Sequence, residues 1–296
     1  MCARVRCFQG ASEMKGFHRS RRLLSPLVIL CLVGTGAQAL ARPSQPRPPS
    51  SPSVRVRAAL LIERASGQIL YAKAEDQRLP PASLTKVMTA LVALESDSRE
   101  ATVTIDGESV VRRRPKIGVR PGDRFALRDL VVAMLITSAN DACLAVARHI
   151  GGSEAEFVGI MNEKAAALGL VDTHFSNACG FDGPEHYSSA RDLAILTEEA
   201  LKNDVFATIV RTAKTEISTI DERRHFRLSN TNRLLVNPDV TGLKTGFTSE
   251  AGHCLIATAS RNGKSLLLVG LHFRHRWGGP MALLRYGFAR VQGAEG

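Results

Sequence analysis

The sequence predicts an α/β chain of the α+β kind, with strands from both ends sharing one sheet and a helical block inserted between them. Three observations carry this. Short apolar runs flank Gly turns near residues 67 and 263. Between Leu127 and Leu201 apolar residues recur at three- and four-residue intervals, the period of helices with one buried face. After Val205 strand character returns and holds to about Val269.

The first residues stand apart from that domain. Arg19, Arg21 and Arg22 precede the apolar run Leu23 to Val33, and Ala37-Gln38-Ala39 or Ala39-Leu40-Ala41 offers small residues for cleavage, so residues 1–41 read as a secretory signal peptide. Residues 42–57, rich in Pro, Ser and Arg, bury too little apolar surface to fold and read as a disordered linker. One folded domain is expected over 58–292, with a helical insert at about 105–210. The 296-residue chain has a formal charge of +11, and its first 41 residues carry a net +5, so the exported form keeps +6. That excess suits an anionic cell envelope, and no nucleic-acid-binding fold signature accompanies it. The expected location is periplasmic or extracytoplasmic, without a stable membrane anchor once the signal is cleaved.

Beyond the signal, Cys143, Cys179 and Cys254 include no Cys-x-x-Cys pair, and each reads as a small buried hydrophobe rather than part of a disulfide framework. His272-x-x-His275 alone does not make a metal site, so neither metal nor other cofactor is expected.

In chain order, Ala58–Glu63 and Gln68–Tyr71 form a hairpin about Ala65-Ser66-Gly67. Pro80 and Pro81 fix the entry to a helix from Ser83, along which Leu84, Val87, Met88, Leu91 and Val92 make an apolar stripe. Helices follow at Leu130–Leu135, Asp141–Ile150, Glu154–Leu168 and Ala190–Leu201. Strands are expected at Thr215–Ser218, Gly242–Thr245, Cys254–Ala259 and Ser265–Val269, the last two joined by the turn Arg261-Asn262-Gly263. A helix from Met281 to Ala289 closes the fold.

Ser83 and Lys86 lie one helical turn apart, so hydroxyl and amine can face one cleft. A serine needs a positioned base, and lysine serves only when uncharged. Its pKa must come down from about 10.4 to near 7, a change of roughly 4 kcal/mol, through burial and a second cation. Ser138-Ala139-Asn140 at a helix junction and Lys244-Thr245-Gly246 at a strand start supply further polar groups and that second cation. Each triplet alone has an ordinary meaning: Ser83 and Ser138 could cap helices, and Lys86 could be solvated.

Their order and flanks strengthen the case. Pro81-Ala82-Ser83-Leu84-Thr85-Lys86-Val87-Met88-Thr89, Leu135-Ile136-Thr137-Ser138-Ala139-Asn140-Asp141-Ala142, His186-Tyr187-Ser188-Ser189-Ala190-Arg191-Asp192-Leu193-Ala194 and Gly242-Leu243-Lys244-Thr245-Gly246-Phe247-Thr248 together resemble the D-alanyl-D-alanine carboxypeptidases. These are low-molecular-mass penicillin-binding proteins of the serine beta-lactamase-like superfamily. The resemblance covers about residues 56–290. It implies an antiparallel sheet flanked by helices, with the helical insert as the opposite wall of a cleft.

It further implies Ser83 as nucleophile, Lys86 as general base, and Ser138 with Lys244 as proton relay. Asn140 would hold substrate amides, Thr245 with Gly246 and Phe247 would bind the peptide end, and the N–H groups of Ser83 and Phe247 would form the oxyanion hole. Arg274 and Arg276 are both candidates for the carboxylate-binding arginine. The implied partners are peptidoglycan stem peptides, cut at the terminal D-alanine, and beta-lactam antibiotics. Ala139 stands where glycine is usual, which would add a methyl near the cleft. The runner-up is a D-alanyl crosslink endopeptidase. A beta-lactamase would want Glu-x-x-Leu-Asn, and Glu198-x-x-Leu201-Lys202-Asn203 has an extra residue. An inert peptidoglycan-binding module would show decay of the five polar groups, and all are present.

Overall fold

The computed structural model describes residues 50–292; the signal-peptide reading and residues 42–49 of the linker lie outside them. The expected disordered linker does not run to residue 57. Val56 is buried, Arg57 N–H donates to Leu271 O at 3.2 Å, and Lys73 Nζ donates to Val56 O at 2.6 Å. Val54 and Val56 find an apolar seat that outweighs the polar composition around them.

β1 (Ala58–Glu63) and β2 (Ile69–Lys73) form the predicted hairpin. After a 3-10 turn at Ala82–Thr85 comes α1 (Lys86–Glu95), whose residues from Lys86 to Leu94 are all buried. The apolar stripe is thus part of a helix enclosed on every side. β3 (Thr102–Thr104) and β4 (Arg124–Ala126) make a small separate ladder. The helical block follows as α2 (Leu127–Ile136), α3 (Asn140–Gly151), α4 (Glu154–Ala167) and α5 (Ala190–Ala200).

Two elements depart from expectation. α6 (Asp204–Arg211) stands where strand character was expected to resume, because Asn203 caps it by accepting from Val205 N–H and Phe206 N–H while Phe206, Ile209 and Val210 bury one face. β5 (Lys214–Ser218) pairs only with β6 (His225–Ser229), in a two-stranded ladder outside the main sheet.

β7 (Val240–Thr248), β8 (Gly252–Arg261) and β9 (Lys264–Phe273) complete a five-stranded antiparallel sheet in the order β2-β1-β9-β8-β7. Asn262 and Gly263 both take positive φ, as a two-residue turn matching strand twist requires. α7 (Gly278–Gln292) closes the chain. Alternation along the strands makes two cores. Leu60, Ile256, Leu267 and Val269 face the helical block, while Leu61, Leu255, Ala257 and Leu268 face α7 through Leu283, Leu284 and Phe288. The predicted antiparallel sheet flanked by helices is therefore the observed architecture. β7 is left on an edge, with the helical block across from it.

Candidate active site

Four segments meet at one end of α1. The 3-10 turn brings Ser83, half-buried, one turn from Lys86, which is completely buried. Lys86 Nζ lies 3.2 Å from Ser83 Oγ, 2.9 Å from Asn140 Oδ1 and 2.6 Å from Cys179 O. A neutral amine has two N–H donors and one lone pair. The two oxygens take the donors, and the lone pair is left for the Ser83 hydroxyl. Burial, and then the charge of Lys244, hold the pKa of Lys86 well below its ordinary value. The shift is in the direction that the sequence argument required of a lysine base.

Lys244, also fully buried, donates to Ser138 Oγ at 2.9 Å and to Thr245 O at 2.9 Å. Burial and then the nearby Arg276 bring its pKa down to about 7. Two fully buried lysines thus serve one site, with Lys244 disfavouring the charge of Lys86 and Arg276 that of Lys244. Such perturbed cations concentrate at functional sites.

Backbone strain marks the same place. Ala82 (φ +49°) and Ser138 (φ +63°) occupy the left-handed region that side chains usually avoid. Gly180 is needed because a Cβ there would stand 2.0 Å from Ala82 O. At Gly246 a Cβ would come within 3.1 Å of Ser83 N, so the missing side chain lets β7 approach the serine turn without displacing it.

The cleft, about 480 Å³, lies between β7 and the helical block. Ser83, Ser138, Thr245, Gly246 and Phe247 line it, as expected from sequence. Arg276 lines it too, whereas Arg274 does not. Arg274 is instead exposed in the turn after β9, where its N–H is tied to Arg55 O, and does not face the cleft as the carboxylate-binding arginine would have to. Arg276 packs within 5.8 Å of the Phe247 ring and has a buried Nε without a hydrogen-bond partner among the described residues. Asn140 is buried behind the cleft, holding Lys86. Ala139 is fully buried in the core rather than in the cleft, so its methyl does not narrow access. Glu198 is paired with Arg64 at 2.7 Å and does not line the cleft, consistent with setting the beta-lactamase reading aside.

Sequence reasoning missed several residues here. Cys143 and Cys179 form a disulfide instead of sitting as separate hydrophobes, linking α3 to the segment whose carbonyl holds Lys86. Two cysteines 36 residues apart carry no spacing signal, and only folding brings their Cα atoms to 6.0 Å. His186, with its pKa pushed down to about 4 chiefly by burial, accepts from Ser176 N–H on Nδ1 and so presents Nε2–H to Thr85 Oγ1 at 2.8 Å. Thr85 in turn donates to Ala82 O, fixing the turn that carries Ser83. Thr231 lies 2.7 Å from Thr245 Oγ1, and Arg114 and Lys116 extend the cleft on the helical side.

A five-stranded antiparallel sheet, a helical insert and a buried lysine beside a serine at their joint define the penicillin-binding class of serine peptidase folds. The chain belongs to the D-alanyl-D-alanine carboxypeptidase family, peptidase S11, whose model matches residues 45–274. It is 36% identical over 255 residues to D-alanyl-D-alanine carboxypeptidase DacF of Bacillus subtilis, covering 84% of this chain and 65% of that one. With DacC of Escherichia coli K12 it shares 38% over 259 residues, covering 80% and 62%. The chain thus spans just under two thirds of the length of these relatives. The Streptomyces K15 DD-transpeptidase superposes with a TM-score of 0.76 at 30% identity, covering 81% of this chain and 99% of that one.

Proposed function

We propose that this protein is an exported serine D-Ala-D-Ala carboxypeptidase that removes the terminal D-alanine from peptidoglycan stem peptides through an acyl-enzyme on Ser83. The observation that carries the reading is the fully buried Lys86 amine, its pKa held well below the ordinary lysine value by burial, 3.2 Å from Ser83 Oγ. Ser83 attacks the carbonyl between the two D-alanines while its proton passes to Lys86. The oxyanion forms against the N–H groups of Ser83 and Phe247, each such donor being worth about 3–4 kcal/mol. As the C–N bond breaks, Lys86 gives up the proton it took from Ser83, which is relayed through Ser138 and Lys244 to the leaving amine, so that Lys86 is a neutral base again. Water then gives a proton to Lys86, attacks the acyl carbonyl and releases Ser83, which recovers its proton.

Asn140 serves this scheme by holding Lys86. The edge of β7 offers backbone groups to an extended peptide. The unpartnered Arg276 Nε, with Thr245 and Thr231 beside it, suits the terminal carboxylate. A beta-lactam carrying a carboxylate next to a strained amide would enter by the same contacts and acylate Ser83. Export through residues 1–41 agrees with the Cys143–Cys179 disulfide, since such bonds persist in oxidising compartments. Among the described residues no helix is long and apolar enough to cross a membrane.

The test is incubation of purified protein with a pentapeptide ending in D-Ala-D-Ala and, separately, a crosslinked muropeptide. Released D-alanine from the first, absent in Ser83→Ala, is the expected result. Crosslink loss without D-alanine release would move the assignment to endopeptidase. A fluorescent penicillin should label Ser83, and mass spectrometry finding the adduct elsewhere would overturn the nucleophile.

A further inference from the structure

The cleft holds more positive charge than its chemistry requires. Lys86 and Lys244 are committed to proton transfer, and Arg276 to the peptide terminus. On the helical side, residues 112–116 read Arg-Arg-Arg-Pro-Lys, and Arg114 and Lys116 of this run line the cleft opposite β7. Arg113 is spent on the Phe181 ring at 4.9 Å. No acidic side chain pairs with Arg114 or Lys116 among the described residues, because the nearest carboxylates in sequence are engaged elsewhere. Asp106 and Glu108 hold Arg148, Asp123 holds Arg224, and Asp141 accepts from the N–H groups of Ile117, Gly118 and Val119.

The same bonds make the segment a fixed platform. Asp141 grips it from the first turn of α3, Asn140 N–H donates to Pro115 O at 2.8 Å, and Asn140 Nδ2 reaches Arg113 O at 3.4 Å. The backbone that carries these cations is thus tied to the side chain that holds Lys86. Cations on a mobile loop lose binding energy to ordering; here the backbone is already fixed, and only the exposed side chains of Arg114 and Lys116 have to be ordered.

We propose that Arg114 and Lys116 form a second anion subsite, which reads a side-chain carboxylate on the acyl-donor peptide, amino-terminal to the scissile D-Ala-D-Ala bond. The proposal rests on the carboxypeptidase reading above. A peptide extended along the β7 edge, with its terminal carboxylate at Arg276, passes between that strand and residues 114–116. An acidic residue upstream then meets two cations with no competing partner. A carboxamide of the same shape meets them without charge.

The experiment compares two peptides ending in D-Ala-D-Ala that differ only in Glu or Gln at the preceding position. D-alanine release is measured at about 20 and 300 mM salt. The wild-type protein should favour the Glu peptide roughly tenfold in kcat/KM at low salt, mainly through KM, and the ratio should shrink at high salt because partly exposed pairs are screened. In Arg114→Gln/Lys116→Gln the ratio should fall to near one. Arg114→Glu/Lys116→Glu, checked for folding by near-ultraviolet circular dichroism, should prefer a peptide with Lys at that position.

Equal use of Glu and Gln peptides by the wild type would overturn the subsite while leaving the carboxypeptidase reading intact. So would a Glu preference that survives the double substitution. If the double variant loses its preference for a free over an amidated terminus instead, Arg114 and Lys116 belong to the terminal clamp and the proposal is wrong. Hydrolysis of neither peptide by the wild type would remove the carboxypeptidase reading, and this inference with it.

Discussion

Lys244→Met should make the protein more stable at pH 7 and less stable at pH 10, while abolishing turnover. The folded-state pKa of Lys244 is brought from the ordinary 10.5 down to about 7, principally by burial. Because it is depressed for a cation, the folded state binds fewer protons than the unfolded chain between about pH 7 and 10.5. The destabilisation is therefore complete below pH 7, is relieved as pH rises through that window, and is gone above it. Each tenfold change in proton affinity is about 1.4 kcal/mol, so burying this lysine costs on the order of 4 kcal/mol at pH 7 and a little under 1 near pH 10.

Methionine fills a similar volume but leaves Ser138 Oγ and Thr245 O without their donor, at about 1–3 kcal/mol. The net gain at pH 7 is about 2 kcal/mol, turning into a loss of about 1 kcal/mol at pH 10. Urea unfolding of both proteins at pH 6.5, 8 and 10 reads this directly. A difference of constant size across that range, or a variant less stable at pH 7, would refute the claim that Lys244 is held against its preferred charge state.

Three further outcomes follow from other contacts. Arg276→Gln removes the charge that, after burial, depresses the pKa of Lys244, so the alkaline limb of penicillin acylation should move to higher pH; Arg274→Gln should leave it in place, and stopped-flow acylation across pH 6 to 10 separates the two. Opening the Cys143–Cys179 disulfide by Cys143→Ser/Cys179→Ser frees a loop of 36 residues, which should lower stability by about 4 kcal/mol in urea and slow acylation, as Cys179 O is a partner of Lys86. Gly180→Ala drives a Cβ to 2.0 Å from Ala82 O, so it should cut penicillin labelling of Ser83 at least tenfold, and unchanged labelling would show that the turn can move aside.

The sequence alone determined the class of fold and pointed to the residues on which the proposed chemistry rests. Local periodicity marked the hairpin of β1 and β2, the helices α2 to α5 and the Asn262-Gly263 turn, because side-chain pattern and turn chemistry act over a few residues. It also paired Ser83 with Lys86, which are neighbours on one turn. α6 escaped since its Val, Phe, Ile and Val also suit a strand, and only the Asn203 cap and the packing of Phe206, Ile209 and Val210 select the helix.

What tertiary structure decided were contacts between residues far apart in the chain. The choice of Arg276 over Arg274 depends on which way a turn after β9 aims two side chains. The Cys143–Cys179 bond, the burial of Ala139 and the clamping of Lys86 by Asn140 and Cys179 join segments whose separation carries no local signal. The charge state of the two lysines belongs to the same category: a side chain is desolvated by everything packed around it, and that enclosure exists only once the sheet and the helical block have closed on one another.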